Sequence, residues 1–133
     1  MDRKNDEIAI DALLAETYKG WEANDADRFV ALYTEDATAI LPGSVRGSRE
    51  AIRDSMAAGF AGPLKGSTSV DQRVSLRFVG RDAAIAVSEA GILFPGEAEV
   101  PAERKVNATW VFEKRDGRWM IAAYHNSPSQ VRG

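Results

Sequence analysis

Two residues of this chain have the types and the placement to do acid–base chemistry: Glu89 and His125, the latter the only histidine in 133 residues. Read with period two, the strand expected over residues 83–94 has an inward row Ile85, Val87, Glu89, Gly91, Leu93, which one carboxylate interrupts. His125 lies on the last strand, beyond Asp116-Gly117, a dipeptide that favours a two-residue type I′ hairpin loop. If Arg115 pairs with Arg118 across that loop, Phe112 stands opposite Ile121 and Ala108 opposite His125. The inward row of the last strand is then Trp119, Ile121, Ala123 and His125, with Tyr124 and Asn126 outward. Pairing across the loop 95–101 sets Glu89 near Val106 or Ala108, so that Glu89 and His125 flank Ala108 from two neighbouring strands. Strands lie about 4.8 Å apart, which leaves roughly 10 Å between the two backbones, a gap that side chains or one water would close. A one-residue slip would exchange the inward and outward sets.

A carboxyl buried in such a place has its pKa raised by desolvation, and a nearby imidazolium pulls it down again. The pair could divide the work near neutral pH, with Glu89 as base and His125 as acid or oxyanion donor. The same contact could also merely satisfy two polar groups, or Glu89 could reach the pocket rim and water. Rings and a cation surround this point in the expected fold. Trp21, Tyr33, Phe60 and Trp110 are candidates for a ligand-binding wall or are plain core, Met56 faces inward from a helix, and Arg104 could greet an anionic group from its loop end or stand solvated at the rim. Trp119 reads as plain core.

These residues need elements to hold them. Ile10, Leu13, Leu14, Thr17 and Trp21 recur at helical spacing and predict an amphipathic helix over residues 7–23. Asn24 is expected to cap a second, short helix with Asp25 and Asp27 in its first turn and Phe29, Val30, Leu32 and Tyr33 on its buried side. A brief strand over 37–41 stops at Pro42-Gly43, and Ser48 caps a third helix with Ile52, Met56 and Phe60 inside. The period then changes to two. Val70, Val74, Leu76 and Phe78 alternate with Asp71, Arg73, Ser75 and Arg77, and strands over 83–94, 102–113 and the residues after Asp116-Gly117 follow. Three helices followed by an antiparallel meander make an α+β plan, a curved sheet wrapped on a helical layer, in one domain spanning residues 1–133.

Composition removes several function classes. The net charge of −3 and the scattered Lys and Arg argue against nucleic acid, whose phosphates require a basic face. Without cysteine there is no Cys–zinc site or thiol nucleophile, and one histidine cannot build a His-rich metal centre, so no metal is expected. Asp25, Asp27, Glu35 and Asp36 read as helix-end charge, and Glu97, Glu99 and Glu103 as solvated surface. No Gly-rich dinucleotide loop or flavin site is present, so no cofactor is expected. No stretch approaches the roughly 20 apolar residues of a membrane helix and no apolar signal region opens the chain, which points to the cytoplasm and away from a membrane.

Three segments carry a family likeness: Trp21-Glu22-Ala23-Asn24-Asp25, Ala31-Leu32-Tyr33-Thr34-Glu35-Asp36-Ala37 and Gly47-Ser48-Arg49-Glu50-Ala51-Ile52. In this order the chain resembles the nuclear-transport-factor/ketosteroid-isomerase-like (SnoaL-like) superfamily over nearly its whole length. The ending Asp116-Gly117-Arg118-Trp119-Met120-Ile121 with His125-Asn126-Ser127 is similar to the SgcJ/EcaC subgroup, associated with polyketide and enediyne biosynthesis. The resemblance implies a cystatin-like α+β roll, a cone-shaped curved antiparallel sheet packed on three N-terminal helices. It also implies a homodimer through the outer sheet face, which here would carry Thr109 and Val111. Ketosteroid isomerases use a tyrosine, an aspartate base and a second acid at positions that correspond by spacing to Thr17, Leu41 and Ala108. None of these can do that chemistry, so the three positions are carried over as cavity residues and steroid isomerisation is not expected.

Three functions follow. The chain could act on a hydrophobic polyketide-like small molecule by isomerisation, cyclisation or dehydration without a cofactor. It could hold the same class of ligand without turnover. It could be a dimeric interaction or assembly domain whose cavity is incidental.

Overall fold

The computed structural model describes residues 3–130. The first helix, α1 (Lys4–Glu22), buries Ile10, Leu13, Leu14, Thr17 and Gly20 along one stripe, the i, i+3, i+4, i+7 pattern that a helix needs to cover a core. Asn24 follows in the left-handed region, φ 51°. An asparagine tolerates this because its short side chain bonds locally. Its backbone N–H and its Nδ2 both donate to the Trp21 carbonyl, at 2.8 and 2.9 Å, while its Oδ1 accepts from the Gly66 N–H at 2.7 Å. Asn24 therefore closes α1 rather than capping the next helix, which corrects the expectation. The cap of α2 (Ala26–Val30) is Asp25, in extended backbone, which accepts from the Arg28 N–H at 3.1 Å. Gly20 lets α2 come close: a Cβ there would lie 2.6 Å from the backbone nitrogen of Phe29.

Strand β1 (Tyr33–Leu41) starts earlier than expected, because Tyr33 leaves the helix and turns into the sheet. It pairs with the short edge strand β2 (Ser44–Arg46). Helix α3 (Arg49–Ala61) is capped by Ser48, which accepts from the Ala51 N–H at 3.0 Å, and it buries Ile52, Met56 and Phe60. Then come β3 (Thr68–Phe78), β4 (Ala83–Leu93), a 3-10 turn (Ala102–Arg104), β5 (Val106–Arg115) and β6 (Arg118–Pro128). The sheet order is β2-β1-β6-β5-β4-β3. All neighbours are antiparallel except β1 and β6, which run parallel. The helices lie on the concave face, and Ile10, Phe29, Ile52, Phe112, Trp119 and Ile121 belong to the core between them. No helix among the described residues is long and apolar enough to cross a membrane.

Two extra residues decide which side chains enter that core. The Asp116-Gly117 hairpin forms with both residues at positive φ, and pairing runs as expected from Arg115–Arg118 to Phe112–Ile121. Ala122 is then inserted without a partner, and Val111 pairs with Ala123. Beyond this bulge Tyr124 stands opposite Trp110, His125 opposite Thr109 and Asn126 opposite Ala108. Alternation along a strand means one added residue reverses the facing of everything after it. Val74 does the same on β3. Leu76 and Phe78 pack on the core, while Asp71 and Arg73 take the inner positions opposite Ala90 and Ser88. Val70 and Val74 are 45 and 63% exposed. On β4 the inner row is Ala84, Ala86, Ser88 and Ala90, all buried, and Ile85, Val87 and Glu89 face outward. The concave face already holds the helices and the rings of β5, so it admits small side chains and leaves the larger ones outside.

Candidate functional site

A cavity of about 150 Å³ opens between α1, α3 and the concave face of the sheet. Its room comes from small residues, Ala39, Ala90 and Gly91, which carry little or no side chain into the cone. Its walls are rings. Tyr18 and Trp21 come from α1, Phe29 from α2, Tyr33 from β1, Trp110 from β5 and Tyr124 from β6. The Trp110 and Tyr124 ring centroids are 4.5 Å apart, and Trp21 meets Phe29 edge-on at 5.6 Å. The Trp21 indole is held in place by its Nε1, which donates to the Ser67 hydroxyl at 3.0 Å.

Polar groups break the apolar wall at few points. The Tyr18 hydroxyl donates to the Asp71 Oδ2 at 2.6 Å, and the Trp110 Nε1 approaches the same oxygen at 3.4 Å. Asp71 itself stands behind Tyr18 and is not part of the wall. Asn126 lines the cavity and donates from Nδ2 to the Tyr124 hydroxyl at 2.9 Å, while its buried Oδ1 has no partner. Burial pushes the phenols of Tyr18, Tyr33 and Tyr124 above their ordinary range, and Asp71 adds to the rise at Tyr18. All three therefore stay protonated donors near neutral pH. Two arginines complete the wall. Arg104 forms an ion pair with Glu97, donates to the Ile92 carbonyl at 3.4 Å and lies 5.0 Å over the Phe94 ring. Among the described residues, Arg46 makes a 3.5 Å approach from one terminal nitrogen to the Met56 sulfur and no other side-chain hydrogen bond.

Glu89 and His125 do not meet in this cavity. Glu89 pairs with Asn107 and His125 with Thr109, both exposed on the convex face, whereas Ala108 is 1% exposed on the concave one. The Ala122 bulge turned His125 outward, and the small-residue row of β4 turned Glu89 outward. Of the other candidates, Trp21, Tyr33, Leu41, Met56, Arg104 and Trp110 come together in the wall. Thr17, Phe60 and Ala108 are buried beside it. The Thr17 hydroxyl donates to the Leu13 carbonyl at 2.9 Å, and Phe60 packs behind Trp21 at 5.5 Å. Arg104 sits in the 3-10 turn rather than at the end of a strand, and Glu97 is its partner rather than solvated surface.

Sequence reasoning missed Tyr18, Arg46, Tyr124 and Asn126. Tyr18 had a signal, since it lies four residues after Leu14 and three before Trp21 on one flank of the helix. Tyr124 and Asn126 had none, because no glycine or proline marks the Ala122 bulge. No Asp, Glu or His belongs to the wall among the described residues. The arrangement can enclose a flat apolar body and bond its polar edge.

The family model described as a SnoaL-like domain matches residues 10–130. Among solved structures, a Nostoc punctiforme domain of unknown function with a cystatin-like fold is 25% identical, with a TM-score of 0.87 over 96% of this chain and 80% of that one. An NTF2-like protein from Novosphingobium aromaticivorans with a cystatin-like fold is 18% identical, with a TM-score of 0.82 over 96 and 84% of the two chains. A Thiobacillus denitrificans protein, provisionally named a calcium/calmodulin-dependent protein kinase type II association domain, is 19% identical, with a TM-score of 0.76 over 90 and 94%. These likenesses bear out the expected cystatin-like α+β fold. No curated protein matches the chain in sequence.

Proposed function

The chain belongs to the SnoaL-like domain family, whose NTF2-like fold suits small-molecule binding, and from that premise we propose that it holds a hydrophobic, polyketide-like small molecule inside the cone without turning it over. One observation carries this reading: the cavity is walled by rings, and no carboxylate or imidazole of the described residues lines it. A cavity near 150 Å³ is the size that accepts a single aromatic ring, with further rings extending towards the mouth. The biosynthetic setting, polyketide or enediyne assembly in the cytoplasm, rests on the resemblance of the chain's ending to the SgcJ/EcaC subgroup. Native mass spectrometry of protein purified gently from its own host tests the reading. A defined small molecule retained in the complex supports it, and protein that carries none moves the weight to the assembly reading.

A catalytic reading has one observation of its own, the 2.6 Å contact between Tyr18 and Asp71 at the cavity edge. In that reading Tyr18 passes a proton between the ligand and Asp71, in an isomerisation, cyclisation or dehydration. A homodimer through the convex face belongs to the same proposal. Val45, Ile40, His125, Thr109 and Val87 form a row across five neighbouring strands there, with Val45 75% and Ile40 42% exposed. If that face alone matters, the chain is an assembly domain and its cavity is incidental.

A further inference from the structure

Resting on the pocket reading above, we propose that the ligand is an anion, an aromatic carboxylate or an equally acidic enol or phenol, and that Arg46 is the residue that anchors its charge. Arg46 stands on β2 opposite Ala39, and Ala39 stands opposite Tyr124, so the three residues form one row across the concave face. Arg46 lines the cavity, and its guanidinium Nε is buried without a partner.

Buried or half-buried arginines are normally paired with carboxylates, because an uncompensated charge in a low-dielectric setting is costly. Arg46 has no ion pair among the described residues, its hydrogen-bond contact is the neutral Met56 sulfur, and the Tyr33 ring lines the same cavity. Burial draws its pKa below the ordinary arginine range, as expected for a cation without a counterion. The other cation of the wall is different. Arg104 is already neutralised by Glu97, so it can offer hydrogen bonds but little net charge to a ligand.

The neighbours of Arg46 suit an anion as well. Tyr33 and Tyr124 line the same cavity as Arg46. The Tyr124 hydroxyl accepts from Asn126, which leaves its own proton for another acceptor. A carboxylate at this point would take one bond from Arg46 and one from a phenol, with its aromatic body against Trp110. The unpartnered Asn126 Oδ1 would accept from a hydroxyl on the same ligand.

The test compares 2-naphthoate with its neutral isostere 2-naphthamide by calorimetry at pH 7, on the wild type and on Arg46→Gln. The wild type is expected to prefer the naphthoate roughly tenfold, the margin of a charge-assisted hydrogen bond over a neutral one. Arg46→Gln is expected to erase the preference and to keep the amide affinity. Equal binding of both compounds by the wild type overturns the anion inference and leaves the pocket reading standing. A preference that survives Arg46→Gln overturns the role of Arg46. Binding of neither compound overturns the pocket reading itself. Should the variant fail to fold, the Arg46 Nε–H resonance of the wild type decides: it should move downfield with naphthoate and not with naphthamide, and an unmoved resonance overturns the assignment.

Discussion

Tyr18 on α1 and Asp71 on β3 are joined by a 2.6 Å hydrogen bond that ties the first helix to the outermost long strand of the sheet at the cavity edge. The bond is built on the Val74 bulge, since without the added residue Asp71 would point to solvent. Tyr18→Phe removes the donor and leaves Asp71 with only the long contact from Trp110. A loss of about 1–3 kcal/mol in unfolding free energy is expected, read from urea denaturation. An unchanged midpoint would mean that water replaces the phenol at no cost.

At Gly20 the backbones of α1 and α2 come close together. Alanine would normally strengthen a helix interior by about 1 kcal/mol, but here its Cβ would press on the Phe29 backbone, which cannot step aside as a side chain can. Gly20→Ala should therefore lower stability by about 1–3 kcal/mol, as overpacking does. A rise in the thermal midpoint would show that α2 shifts freely.

Asp6 gathers three donors: the Trp119 Nε1 at 3.0 Å, the Lys114 Nζ at 3.3 Å and an Arg3 nitrogen at 3.3 Å. The Trp119 bond above all, then Lys114 and Arg3, hold its carboxyl below the ordinary aspartate value of 3.8. A carboxyl depressed in the folded state stabilises it above the unfolded pKa, and that contribution is lost as pH falls through the folded value. Asp6→Asn should reduce the slope of stability against pH below about 4. Parallel pH–stability curves for wild type and variant would remove Asp6 from the acid transition.

Glu89 and His125 lie on the face opposite the cavity. The double change Glu89→Gln with His125→Ala should leave the affinity for a cavity ligand within about twofold, a difference below half a kcal/mol. Calorimetry with the naphthalene pair checks this directly. A tenfold loss would place one of these side chains back at the ligand.

Val111 sits between Ile85 and Ala123 in the middle of the convex face. A glutamate there would set a charge into any sheet-to-sheet contact, where desolvation makes it costly. Val111→Glu should give a monomer in sedimentation velocity if the dimer forms through this face. A dimer that persists puts the interface elsewhere.

Much of this protein was legible before any fold was drawn. Helical stripes, the Ser48 cap and the Asp116-Gly117 turn are local signals, written within a few residues and enforced by backbone geometry. Six of the nine expected ligand-binding residues reached the wall. Trp21, Met56 and Trp110 did so on the elements and inward faces that local patterns predict, whereas Tyr33 and Arg104 did so from other elements and Leu41 was expected there from the family resemblance. Tertiary structure alone decided which residues of β3 and β6 face inward. Ala122 and Val74 bear no mark of a bulge, and an inserted residue bends its strand and raises the local twist. That choice sent His125 outside and brought Tyr124 and Asn126 into the cavity. It was decided by packing across the whole cone, and a period-two pattern read along one strand carries no record of it.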